Sequence, residues 1–165
     1  MIDDQFRIYT EQLREGHVEQ IDETLSPKFL DINERDLSFN APVKINGQAY
    51  LADDTLVLHL DMTTAATLPC AVCNDPVTVE LAVKGFYHAV PLQDVKNGIY
   101  DFREILRETI LLETPLLAEC LNGKCPRRQE IKKFFKKENP SGSKTGDEEG
   151  YRPFADLDFD SQDKN

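Results

Sequence analysis

The sequence contains no tryptophan and has only two methionines and four cysteines among its 165 residues. Without tryptophan, the chain lacks a side chain that often anchors protein interfaces. No stretch is apolar enough for long enough to span a bilayer, and the first residues lack the positive and apolar regions of a signal peptide. We therefore expect a cytoplasmic protein that makes no contact with membranes.

Positive charge is also scarce. The chain has 19 Lys and Arg against 30 Asp and Glu, a formal net charge of −11. Such a surface repels polyanions at long range and disfavours indiscriminate coating of nucleic acids. A contact with RNA would need a local basic patch or a partner protein.

The usual signatures of catalysis are missing. There is no phosphate-binding glycine loop, no His-Glu-x-x-His and no Gly-x-Ser-x-Gly. The three histidines are scattered, and no pair of carboxylates suggests acid–base chemistry. We expect neither an enzyme nor a small-molecule substrate.

Alternating apolar residues predict antiparallel strands in the first half of the chain. The predicted strands cover residues 6–10, 43–51, 56 to the turn at Cys70, and 77–88, while residues 18–24 fit either a helix or a strand. Gly85 is predicted to form a bulge, and Asn46-Gly47 is a second candidate for a bulge or turn.

One helix is predicted after these strands. Asp101 is a candidate N-cap with Glu104 at the capping-box position, apolar residues recur at helical spacing, and Pro115 ends the run. The expected fold is α+β, an antiparallel meander with packed helices and a Cys-x-x-Cys turn at a hairpin end. Residues 1–138 are expected to form one domain, 139–150 a flexible linker and 151–165 a tail.

The four cysteines form two close pairs, Cys70 with Cys73 and Cys120 with Cys125. If the pairs meet, four thiolates can hold a zinc ion as a structural site. Free structural thiols and a redox or disulfide role remain alternatives. A thioredoxin-like site is disfavoured because a strand, not a helix, is predicted after Cys73.

Basic residues concentrate after the second cysteine pair. They are Lys124, Arg127, Arg128, Lys132, Lys133, Lys136 and Lys137. Their local charge opposes that of the whole protein, so they are candidates for phosphate contacts with RNA or for an acidic partner. A solvated helix face is the alternative.

The end of the chain carries a short apolar cluster that includes Tyr151, Phe154 and Leu157. Because the residues before it are rich in Gly, Ser and charge, we expect this cluster to dock either on the domain itself or on a partner.

Several segments resemble the YceD family, the large ribosomal RNA subunit accumulation proteins. These are the Cys-x-x-Cys turn at 68–73, the helix at 104–115, the second cysteine segment at 120–126 and Arg152-Pro153-Phe154-Ala155-Asp156-Leu157. Val72 stands where the family turn usually has arginine, and the second pair is spaced one residue wider. The resemblance implies a role in accumulation or maturation of large-subunit ribosomal RNA, without a known catalytic activity.

Together these features predict a non-enzymatic ribosome-biogenesis factor whose partners are ribosomal RNA or assembly proteins. The alternative is a zinc-stabilised protein-interaction adaptor without direct RNA contact.

Overall fold

The computed structural model describes residues 4–134 and contains both helices and antiparallel sheets, which confirms the coarse prediction of an α+β fold. The strands are β1 (Arg7–Tyr9), β2 (Val18–Leu25), β3 (Ser38–Phe39), β4 (Val43–Ala52), β5 (Thr55–Pro69), β6 (Pro76–Pro91) and β7 (Ile99–Asp101). The helical segments are α1 (Arg103–Glu113), the single turn α2 (Cys120–Gly123), which contains left-handed residues, and α3 (Arg128–Lys132). In the described residues one short 3₁₀ segment precedes β1 and four lie between strands. The predicted end of the domain at 138, the linker and the tail lie outside the described residues.

The main sheet is built from long antiparallel neighbours. β2 pairs with β4, β4 with β5, and β5 with β6, while β3 pairs with β5 at Thr67 and Ala66. β1 and β7 form a separate two-stranded sheet. Residues 18–24, which the sequence left between helix and strand, therefore lie in a strand that pairs along its whole length with β4.

The bulge predicted at Gly85 is confirmed. Lys84 and Gly85 together face the single residue Asp61, and the Gly85 amide donates to the Asp61 carboxylate at 2.6 Å. The extra residue keeps Val83 and Phe86 on the same, half-buried face of β6.

The prediction of a bulge or turn at Asn46-Gly47 was wrong, because the register between β4 and β5 continues through these residues without a shift. Glycine is required at position 47 for a different reason. A Cβ atom there would lie 2.1 Å from the His59 carbonyl oxygen, so only glycine allows the two strands to pair at normal spacing.

Helix α1 covers the sheet with an apolar face. Phe102, Leu106 and Ile110 are at most 1% exposed and belong to the same core as Leu56, Leu58 and Leu60 of β5. Burying each large side chain stabilises the fold by roughly 1.5–3 kcal/mol. Together these contacts fix where α1 ends, and hence where the second cysteine segment begins.

The predicted N-cap was wrong by one residue. Asp101 belongs to β7 and Phe102 is the N-cap residue. The Asp101 carboxylate still contributes at this end, since it accepts from the Arg103 amide at 2.9 Å. None of the helices in residues 4–134 is long and apolar enough to cross a membrane.

Candidate metal centre

The first cysteine pair lies in the loop that joins β5 to β6. Pro69 and Pro76 pair across the base of this loop. The Cys70 amide donates to the Asp75 carbonyl at 2.7 Å, and the Asn74 amide donates to the Cys70 carbonyl at 2.9 Å. Asn74 has a φ of 65°, a left-handed conformation that asparagine adopts more readily than most residues. These bonds hold the two thiols at one end of the long hairpin.

The second pair is brought there by the chain that follows α1. The Ala71 amide donates to the Ala118 carbonyl at 2.8 Å, so this chain runs alongside the Cys70 loop. The Cys120 amide then approaches the Cys70 sulfur at 3.4 Å. The backbone therefore docks the second pair on the first.

A left-handed turn closes the wide spacing between Cys120 and Cys125. Leu121, Asn122 and Gly123 have φ values of 54°, 53° and 86°. Glycine adopts this conformation freely, but a left-handed residue with a Cβ costs roughly 1–2 kcal/mol. The sequence hinted at this turn only through Gly123.

All four sulfur atoms lie within 4.8 Å of one another, so the predicted meeting of the two pairs is confirmed. The Cys120 sulfur is 3.8 Å from that of Cys70 and 3.9 Å from that of Cys73. Four sulfurs placed about 2.3 Å from a central zinc ion form a tetrahedron with edges of about 3.8 Å. The cysteines are all free, since a disulfide would require sulfurs about 2.05 Å apart. The arrangement can therefore hold a metal ion.

Backbone amides favour the charged form of one thiol. Hydrogen bonds from the amides of Cys73, Cys120 and Val72 lower the pKa of Cys70 to about 6. The Val72 amide lies 3.4 Å from its sulfur. Cys70 is also 2% exposed, so these amides replace the water that would otherwise solvate a thiolate.

The crowding of the sulfurs raises the pKa of two further thiols, Cys120 and Cys73. The Cys125 thiol, followed by burial and the thiols of Cys70 and Cys73, raises the pKa of Cys120 to about 12. For Cys73, the Asp75 amide lowers the pKa, but burial and the neighbouring side chains outweigh it and raise the pKa overall. A divalent cation among the sulfurs would reverse this, because coordination deprotonates thiols.

The predicted basic residues lie directly beyond this centre. Every residue from 126 to 134 is exposed, including Arg127, Lys132 and Lys133, and Lys124 is exposed too. Arg128 forms an ion pair with Glu119, a partner that the sequence did not suggest. Lys136, Lys137, Tyr151, Phe154 and Leu157 lie outside the described residues.

The apolar surface beside the centre was missed by the sequence reasoning. Leu116 is 98% exposed and Leu117 is 77% exposed, and both line a groove that also includes Cys70 and Val72. The available signal was the Leu-Leu pair directly after Pro115, where the helical pattern has already stopped.

Comparison of the chain with family models, with curated proteins and with solved structures found no match in any of the three.

Proposed function

We propose that this protein binds one zinc ion through Cys70, Cys73, Cys120 and Cys125 and acts in the cytoplasm as a non-enzymatic factor that supports accumulation or maturation of large-subunit ribosomal RNA. The observation that carries the metal part is that all four sulfur atoms lie within 4.8 Å of one another, with two of the six separations, 3.8 and 3.9 Å, close to the edge of a zinc–sulfur tetrahedron. Soft thiolates also favour zinc over hard cations such as Mg²⁺ and Ca²⁺.

The same geometry supports a structural role for the ion. Four protein thiolates fill the tetrahedral shell, whereas a catalytic zinc keeps one position open for water or substrate. Cys70 and Cys125 are buried and the remaining pair is partly buried, which restricts the access of solvent. The centre would join the β5–β6 hairpin to the chain after α1.

The ribosomal part of the proposal is supported by the motif resemblance and by the exposed basic segment. Lys124, Arg127, Lys132 and Lys133 are exposed and flank Cys125 in sequence, in a chain that is otherwise strongly acidic. Lysine and arginine side chains neutralise RNA phosphates and release counterions. Because Glu119 already engages Arg128, phosphate contacts would fall mainly on the other cations of this segment.

Metal content and X-ray absorption test the zinc part. We expect about one zinc per chain, coordinated by four sulfurs at about 2.3–2.4 Å. Cys70→Ser and Cys120→Ser, one change in each pair, should each lose the ion. Ala71→Ser is the matched control, since it adds a hydroxyl at an exposed position in the same loop. A stably folded, reduced protein without metal would contradict the proposal.

Charge reversal tests the RNA part. Lys132→Glu with Lys133→Glu should lower ribosomal RNA co-purification and large-subunit RNA levels. Lys44→Glu with Lys84→Glu makes the same change in net charge at exposed positions on the sheet. If both pairs of variants behave like the wild type, the basic segment does not contact RNA.

The protein-interaction adaptor is the second candidate. It is favoured by the net charge of −11 and by the exposed leucines at 112, 116, 117 and 121. A salt titration distinguishes the ribosomal RNA function from the adaptor function. Binding to RNA should weaken steeply with ionic strength, whereas binding of an apolar partner should not.

A further inference from the structure

The described chain leaves an apolar groove open beside the metal centre. The groove has a volume of about 640 Å³, and its lining includes Ile32, Leu37, Leu68, Leu111, Leu116 and Leu117. This size falls within the roughly 300–1,000 Å³ of ligand and anchor pockets. Contiguous apolar surface of this kind often marks a binding site, so we expect a ligand or a chain segment to bind in the groove.

Two leucine side chains that line the groove are largely exposed to solvent. Leu116 is 98% exposed and Leu117 is 77% exposed. They directly follow Pro115, where the end of α1 and the docking of Ala118 on the Cys70 loop hold the backbone in place. Two adjacent leucines presented on a fixed backbone form an anchor site for a short apolar segment.

We propose that residues 151–159 of the same chain fill this groove. The segment supplies Tyr151, Phe154 and Leu157, three apolar side chains spaced three residues apart. That spacing is one by which short peptides present anchors to a groove. The proposal does not depend on RNA binding, since it concerns only this surface and this segment.

The length of the chain permits this contact. The Cys125 sulfur is within 4.8 Å of that of Cys70, which lines the groove. Nine residues later, Phe134 therefore lies at most about 35–40 Å from the groove. The connection from Phe134 to Tyr151 can span up to about 55 Å, so the segment reaches the groove with length to spare.

Individual charges on the two surfaces can also pair. The groove lining includes exposed Glu34 and Asp36 and also Arg107, whose Nε donates to the Leu30 carbonyl at 2.8 Å. The segment carries Arg152 beside its first anchor, and Asp156 and Asp158 on either side of its last. Arg152 would pair with Glu34 or Asp36, and one of the two aspartates would pair with Arg107. A linked segment also binds at a high effective concentration, often millimolar.

Photocrosslinking in the full-length chain tests the proposal. Phe154→p-benzoylphenylalanine should yield an intramolecular crosslink that peptide mapping places on residues 111–117 or on the Cys70 loop. Ser143→p-benzoylphenylalanine, in the connection, is the control and should not label the groove. Leu116→Asp with Leu117→Asp should reduce the crosslink at least tenfold, because each buried leucine contributes about a factor of ten in affinity.

Leu112→Asp is the matched control for the groove. Leu112 is 79% exposed, close to the value for Leu117, but it does not line the groove. This variant should crosslink like the wild type. Crosslinks between two chains, crosslinks to another protein, or intramolecular crosslinks that Leu116→Asp with Leu117→Asp leaves unchanged would each overturn the proposal.

Discussion

Removal of the proposed zinc ion should release one part of the chain and leave the sheet intact. In residues 114–134, only Ala118 and Cys125 are buried, at 8% and 4% exposed. The main core contains none of the four cysteines. Small side chains such as these contribute on the order of 1 kcal/mol each, whereas ordering the backbone costs roughly 1–2 kcal/mol per residue. Burial alone therefore cannot hold this segment, and the sulfur centre must supply most of its order.

The size of this effect follows from the linkage between zinc binding and the folding of the segment. Zinc at one hundred times its dissociation constant stabilises the state that binds it by about 2.7 kcal/mol. If only the closed segment binds zinc, chelation should speed hydrogen exchange at the amides of residues 116–134 by about a hundredfold. Amides in the paired strands β4 and β5, such as those of Leu58 and Leu60, should exchange at an unchanged rate.

Hydrogen exchange with mass spectrometry, recorded with zinc and with a chelator, checks this prediction. Cys120→Ser without chelator should give the same pattern as the chelated wild type. Equal loss of protection in β4, β5 and residues 116–134 would show that the metal holds the whole domain together. Unchanged protection in residues 116–134 would show that the cysteines hold this segment without an ion.

Three further predictions concern the sheet. Gly47→Ala should destabilise the fold by about 3 kcal/mol in urea unfolding, because the new Cβ would lie 2.1 Å from the His59 carbonyl oxygen. Gly85→Ala should cost only about 1–2 kcal/mol, since its nearest neighbour is 4.0 Å away and only the φ of 65° opposes it. Burial lowers the pKa of His88, whose ring bonds to the Tyr100 hydroxyl at 2.8 Å, although Glu108 partly opposes this shift. The unfolded chain then binds the proton first as the pH falls through 6.5, so stability should decrease below that pH, and His88→Gln should reduce this decrease.

The strands were predictable where one face is buried and the other is wet. Leu56, Leu58 and Leu60 share one face and lie in the core as expected, whereas His59 and Asp61 on the other face are exposed. The sequence of residues 18–24 did not distinguish a helix from a strand, because Val18, Ile21 and Leu25 fit helical spacing. The pairing with β4 that makes these residues a strand is a long-range contact, which the local sequence does not report. Gly47 was misread for a related reason. Its role depends on the closeness of His59 across the sheet, which no local pattern reports.

The four cysteines of the candidate site could be predicted from the sequence, but the groups that surround their sulfur atoms could not. Two close cysteine pairs indicated four converging thiols, and the sulfurs do converge. The amides of Val72 and Cys120 that surround the Cys70 sulfur could not be predicted, because every residue except proline carries an amide and only the turn geometry aims it. The ion pair of Glu119 with Arg128 likewise depends on how the turn between the cysteines folds back.

The proposed metal centre connects the basic segment with the groove. Cys125 immediately precedes the exposed cations that begin at Arg127, and Cys70 lines the groove formed with Leu116 and Leu117. Since burial contributes little to residues 114–134, the ion that fixes Cys120 and Cys125 would also fix the leucines on one side and the cations on the other. Loss of zinc should therefore weaken RNA association and tail crosslinking together, even though the two contacts share no residue. If the two respond separately to a chelator, the centre does not organise both surfaces.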